Sequence, residues 1–175
     1  MSDQFVAFGS RDYYLLLGCV VFSRAMDFFS TWVATPNLLL EANPIARKMG
    51  WKIGILLNAV LCVLFPLWPL PASVVTTTSI LVAARNFQSA WLMRSMGEMN
   101  YRIFMTERLS QSPRGLFFSC IAAQAILYAL LGAFLMYFAD WRLVPFAVGM
   151  GMITYALAVA VYTTISVWRV AFRRL

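Results

Sequence analysis

Histidine is absent from this chain of 175 residues, and charge is scarce, with Asp, Glu, Lys and Arg making up only 12%. The first absence removes the usual proton shuttle, the axial ligand of haem or chlorophyll, and most zinc sites. The second nearly excludes a soluble fold. An ordinary soluble domain is roughly 25% charged, and a globule of this size leaves about a third of its chain surface in water. Three cysteines are too few for a disulfide scaffold, and nine glycines with seven prolines are too few for collagen or low-complexity disorder. No Gly-rich phosphate loop, nucleophile elbow or close pair of acidic motifs is found. No cofactor and no metal site is therefore expected.

Apolar residues are abundant instead: 62% of the chain, with a mean hydropathy of +0.75. Crossing about 30 Å of hydrocarbon takes roughly 20 helical residues. Runs of that length lie at about 13–33, 51–70, 72–93, 115–139 and 143–168. The second and third are divided by Pro66, Pro69 and Pro71, which cannot continue a helix. The expectation is a single all-α domain over 1–175, a polytopic transmembrane bundle of five spans.

Lys and Arg set its direction. Arg47, Lys48, Lys52, Arg94, Arg102, Arg108, Arg114, Arg169, Arg173 and Arg174 fall on one side, and only Arg11 and Arg142 on the other. That asymmetry predicts an outside N-terminus and a cytoplasmic C-terminus. Trp32, Trp51, Trp68, Trp91, Trp141 and Trp168 all lie at span ends, where an amphipathic ring is favoured. The first run has no basic region before it and no cleavage site, and reads as a retained anchor. Cys19, Cys62 and Cys120 fall in three different spans and read as small packing residues. Between the third and fourth spans, about 95–110, Met96, Met99 and Ile103 recur at helical spacing and Glu98 precedes Arg102 by four. This predicts a short helix on the inner surface, its arginines facing anionic lipid. A net charge of +7 is then explained without nucleic acid.

Polar residues inside the spans carry whatever chemistry there is. A mid-span Arg or Asp costs about 2.5 to 3.5 kcal/mol on insertion scales, so each faces a partner or a wet cavity. Arg24, Asp27 and Thr31 are spaced i, i+3, i+7 and share one face of the first span. At about 1.5 Å rise per residue, Asp27, Asn58 and Arg85 share one level in the cytoplasmic half, with Asn86, Gln88 and Gln124 within a turn of it. The economical arrangement pairs Asp27 with Arg85 and leaves Arg24 to share the carboxylate or hold an anion. Arg24, Asp27, Asn58, Arg85 and Asn86 are thus candidate ligand-binding residues, in a cluster that either locks helix packing or forms a site. Thr35 with Pro36, and Asn43 with Pro44, each carry the signal of a helix start, which predicts a short helix before the one leading into the second span. Glu41 is a lone acid in that basic loop, placed either to join Asp27 as acid and base or to pair with Arg47 or Lys48. In the last two spans, small residues at i, i+4 spacing (Ala125, Ala129 and Ala133; Ala147 and Gly151; Ala156 and Ala160) allow close helix approach, within the bundle or onto another subunit.

Asp27, Thr31 and the run Glu41-Ala42-Asn43-Pro44 resemble the pattern of a loosely defined group of small, uncharacterised bacterial multi-span proteins. The likeness covers roughly residues 13–65. It implies a bacterial inner-membrane protein in which Asp27, Thr31 and Glu41 to Pro44 work as a unit, and implies nothing about chemistry.

Two functions follow as expectations. One is a non-enzymatic inner-membrane protein, an accessory subunit or a lipid- or anion-binding module, with anionic lipids, a larger complex or a second copy as partners. The other is a small membrane enzyme acting on a lipid-linked or isoprenoid substrate from the cytoplasmic side, with Asp27 and Glu41 as acid or base and Arg24 and Arg85 on a phosphate.

Overall fold

The structure is a computed structural model and describes residues 5–140 and 142–172, except the side chains of Arg114 and of residues 168–172. Trp141, Arg173 and Arg174 lie outside the described residues, as do the side chains of Arg114, Trp168 and Arg169. Six α-helices account for nearly all of it: α1 (Arg11–Ala34), α2 (Pro44–Leu64), α3 (Pro69–Met96), α4 (Glu98–Gln111), α5 (Arg114–Phe138) and α6 (Leu143–Phe172).

Their ends follow local chemistry. Ser10 caps α1 by accepting from the Tyr13 amide at 3.2 Å, and Asn43 caps α2 by accepting from Ile45 at 2.9 Å, with Pro44 in the first turn. The proline cluster ends α2 as expected: a 3₁₀ turn at Phe65–Leu67 precedes an extended Trp68, and α3 starts at Pro69. Within α2, Gly50 takes φ 69° and ψ −178°, a conformation open to glycine that separates a basic first segment from the apolar helix beginning at Trp51.

The helix predicted from Thr35 and Pro36 is absent, because the backbone there turns. Leu38 has φ 56°, and the Thr35 hydroxyl accepts from the Leu40 amide at 3.1 Å instead of capping a first turn. The predicted surface helix forms as α4. Its Glu98, however, is buried and carries no ion pair to Arg102 among the described residues.

Among the described residues, four helical segments are long and apolar enough to cross a membrane: Arg11–Ala34, Pro44–Leu67, Gly115–Phe138 and Leu143–Val167. At 28 residues, α3 is long enough, about 42 Å, but its hydroxyls, amides and Arg85 make it too polar to count with them. It is nonetheless the central helix, packed against α1 on one side and α6 on the other. Contacts at Arg24 to Ser79 and Thr31 to Asn86 make α1 and α3 parallel, and Thr78 to Gly151 and Arg85 to Thr163 make α3 and α6 parallel. Running the other way, α2 flanks α1 (Tyr13 hydroxyl to Val63 carbonyl, 3.1 Å) and α5 flanks α6 (Tyr128 to Tyr155 rings, 4.9 Å). The principal contacts therefore run in the order α2, α1, α3, α6, α5, an open row more than a closed bundle.

Small residues set the spacing. A methyl group added at Gly132 would stand 2.5 Å from the Gly149 carbonyl oxygen, and one at Gly151 would stand 2.7 Å from Thr77. Backbones can approach this closely only where no side chain intervenes. Of the two small-residue stripes, that on α6 is internal, with Ala147, Gly151 and Ala156 buried; on α5 it is Gly132 that packs, while Ala133 is exposed. Cys19 and Cys120 are exposed on the outer faces of α1 and α5, and so are not the packing residues their positions suggested.

Candidate functional site

The polar residues gather along α3 in two separate clusters. In the first, Arg24 is the hub. Its Nη1 donates to Asp27 Oδ2 at 2.8 Å and to Ser79 Oγ at 3.1 Å, and its Nε donates to Asn58 Oδ1 at 2.6 Å. One guanidinium thus ties α1 to both α2 and α3, while its charge is balanced by a carboxylate one turn along its own helix. The Asn58 amide donates onward to the Gly54 carbonyl at 2.8 Å. Two turns further along α3, Asn86 Nδ2 donates to the hydroxyls of Ser30 at 3.2 Å and Thr31 at 3.1 Å. The stripe Arg24, Asp27, Thr31 therefore faces its neighbours as its spacing predicted, and Asn58 and Asn86 join it.

Arg85 does not. The expected pair with Asp27 is replaced by Arg24 with Asp27, and Arg85 Nη2 instead donates to Thr163 Oγ1 on α6 at 3.2 Å. The reason is angular. Ser79, Ala83, Asn86 and Ala90 recur at the helical period and form the face of α3 that meets α1. Residue 85 is rotated by about 100° from residue 86, which carries it toward α6. Around it lies the second cluster: Thr163, Tyr155, which is buried and within electrostatic reach of the guanidinium, and Tyr128 of α5 edge-on to Tyr155. Gln124 is one turn from Tyr128 on α5, and Gln88 is exposed.

At the C-terminal end of α1, residues 35–43 form a strap held from three sides. The Glu98 carboxylate accepts from the amides of Asn37 at 2.7 Å and Leu39 at 3.2 Å. Trp51 Nε1 donates to the Pro36 carbonyl at 2.8 Å, and Thr35 closes the turn on Leu40. Glu41 lies in this strap, half-buried, accepting from the Asn43 amide at 2.8 Å and within Coulombic reach of Asp27. Burial pushes the Glu41 carboxyl above its ordinary 4.5, while hydrogen bonds from the Asn43 and Ala42 amides pull the other way. No ion pair to Arg47 or Lys48 forms among the described residues.

Sequence reasoning missed Ser79, Ser30, Thr163 and Glu98. Ser79 was legible in principle, standing seven residues before Asn86 and so on the same face of α3. Glu98 carried a signal too, an acid directly after Gly97 at a helix start. Nothing in the sequence marks Thr163 over its neighbour Thr164.

Among the described residues, no group of three or more His, Cys, Asp or Glu is placed to hold a metal ion. Comparisons with protein-family models, curated protein sequences and solved structures find no match to this chain.

Proposed function

We propose that this chain is an integral protein of the bacterial cytoplasmic membrane that crosses it five times, N-terminus outside and C-terminus inside. It acts without chemistry of its own, as an accessory subunit or a lipid- or anion-binding module, with its polar residues in the cytoplasmic half of the bilayer. The observation that carries this reading is the unequal state of two half-buried arginines within the helices. Arg24 has a carboxylate and two further acceptors, whereas Arg85 has one hydroxyl. A packing lock accounts for the first arginine and leaves the second with an unneutralised charge, which favours an anion as its missing partner.

The fifth crossing is supported by the position of α3 between two helices parallel to it and long enough to span. Orientation is supported by exposed Arg47, Lys48, Lys52, Arg94, Arg102 and Arg108 around the strap and α4, where anionic lipid would meet them. With the native cysteines replaced, Ser95→Cys should react with an impermeant maleimide only after the inner face is opened, and Trp68→Cys should react in intact cells. The opposite pattern overturns the orientation. Lipid extracted from purified Arg85→Gln protein should contain less anion per chain than wild type. Equal lipid in both would refute the binding reading.

The enzyme reading is kept alive by one observation, the proximity of the Glu41 and Asp27 carboxylates. It would not use Arg24 on a substrate phosphate, since that guanidinium is already engaged. Loss of turnover of a lipid-linked phosphate in folded Glu41→Gln protein would favour it over the module.

A further inference from the structure

The sequence supplies no acid for Arg85. Neither α3 nor either of the helices beyond it, α5 and α6, contains a single Asp or Glu. Among the described residues the only ion pair is the one between Arg24 and Asp27. A guanidinium with no carboxylate in its own helix or in the helices around it, left with one hydroxyl, retains donors for an oxyanion that the protein itself does not provide.

The direction in which the side chain extends says where that oxyanion comes from. Gly151 of α6 packs against Val74, Thr77 and Thr78 of α3, so residue 85 stands level with about residue 160 of α6. The guanidinium meets Thr163, about three residues or 4 to 5 Å further toward the C-terminal ends of both helices. Side chains on a helix lean back toward its N-terminus by default. This one runs forward, toward the end where exposed Trp91 and the stacking of Arg94 on Trp32, 5.6 Å from the ring, mark the interfacial level. Trp91 lies six residues past Arg85, about 9 Å. The reach covers half of that distance, and the remaining gap of about 4 Å is the span of one charge-assisted hydrogen bond and a phosphoryl oxygen.

Resting on the binding reading above, we infer that Arg85, with Thr163 steering it, binds the monoanionic phosphodiester of a cytoplasmic-leaflet phospholipid whose remaining headgroup is polar but uncharged, as in phosphatidylglycerol. The charge sets the choice. One guanidinium neutralises one negative charge, so a phosphomonoester near its dianionic form would leave an excess. A zwitterionic ethanolamine headgroup would bring an ammonium to a place where α3, α5 and α6 offer no acid. An uncharged glycerol headgroup brings no such ammonium and leaves the single charge pair with Arg85 intact. Free inorganic phosphate shares the oxyanion chemistry but lacks the acyl chains that would hold it at this depth.

The test is thermal unfolding of the purified, delipidated chain in a neutral detergent. The additions are mixed micelles of phosphatidylglycerol, of phosphatidylethanolamine or of phosphatidic acid, or inorganic phosphate alone. Wild type should gain several degrees with phosphatidylglycerol and much less with the others. Arg85→Gln should lose that gain, Arg85→Lys should keep part of it, and the control Arg11→Gln, exposed at the opposite end of the molecule, should keep all of it. If Arg85→Gln does not fold, Thr163→Val carries the test, since it removes only the hydroxyl that steers the guanidinium and should weaken the response at least several-fold. A phosphatidylglycerol gain that survives both Arg85→Gln and Thr163→Val overturns the inference. So does an equal or larger response to inorganic phosphate, phosphatidic acid or phosphatidylethanolamine. In that second case the binding reading stands if Arg85→Gln abolishes the response, and only the assignment of the ligand falls.

Discussion

Removing Arg24 should cost more than removing the acid it neutralises, and removing both should cost less than either loss implies. Arg24→Gln leaves Asp27 largely buried and without its ion pair, either as a lone charge or as an acid that must take up a proton. Stripping one partner from a buried pair costs about 3 to 5 kcal/mol. The lower end applies here because the two side chains keep 25% and 17% of their area accessible. The interhelical bonds to Asn58 and Ser79 go as well, and polar contacts between membrane helices average about 0.6 kcal/mol each. The single variant should therefore lose about 4 kcal/mol.

Asp27→Asn should cost about 2 kcal/mol, because Arg24 keeps Asn58 and Ser79 and its long stem lets the charge seek water. In the double variant the orphaned charge disappears from both sides, and the loss should be no more than about 2 kcal/mol, giving a coupling of at least that size. Reversible unfolding of the four proteins in mixed micelles of detergent and increasing SDS measures the cycle. Additive losses would refute the account. They would mean that Asp27 is neutral in the fold or that water, not Arg24, satisfies it.

Three further outcomes follow from other parts of the molecule. Gly149→Ala should destabilise the protein by about 1 to 3 kcal/mol and loosen α5, since its methyl would run into the Gly132 carbonyl oxygen, whereas Gly115→Ala, with open space around it, should be neutral in the same melts. Glu98→Gln should cost about 1.5 to 3 kcal/mol and open the strap, because it weakens the charge-assisted bonds to the amides of Asn37 and Leu39; hydrogen exchange at those two amides should rise selectively. The Glu41 carboxyl is raised in the fold, so its contribution to stability is fully present below the ordinary 4.5 and is lost as pH rises through the folded value; Glu41→Gln should flatten that decline and leave the protein more stable than wild type at neutral pH.

Helix existence and the polar stripe of α1 were legible because each rests on one helix. Arg24, Asp27 and Thr31 lie on a common face whatever α1 packs against, and the prolines at 66, 69 and 71 break the chain wherever it goes. Relative level along the helices was legible to within a turn through the fixed rise per residue: Asn86 meets Ser30 and Thr31, so Asp27 stands level with about residue 82, nearly a turn from Arg85. Azimuth between helices was not. Arg85 and Asn86 differ by one residue and by nothing in depth, yet one meets α6 and the other α1, and only the packing of α3 between two neighbours decides which. The strap was misread because its cap signals are local, whereas its conformation is imposed by Glu98 and Trp51, distant in sequence. The helix α3, expected as the third span, differs from the other long helices in its polarity. Counted alone it is too polar for a span, but its hydroxyls and amides are turned to partners on α1 and α6, or to their own backbone, as Thr77 is to Ser73.

The two arginines also differ in how each helix carries its charge. In α1 the acid lies one turn from Arg24, so the cluster enters as a locally neutral unit and its hydrogen bonds are available to recruit α2 and α3. In α3 there is no such acid, and Arg85 must find its counter-charge after the helices have assembled. Thr163 orients the guanidinium but cannot neutralise it. A bound anion would therefore act on α3, α5 and α6 together, at the part of the row where α5 has only α6 as its main neighbour. Were the inferred anion bound at Arg85, the second half of the molecule would owe part of its stability to it, whereas the ion pair at Arg24 holds the first half with groups of the chain itself.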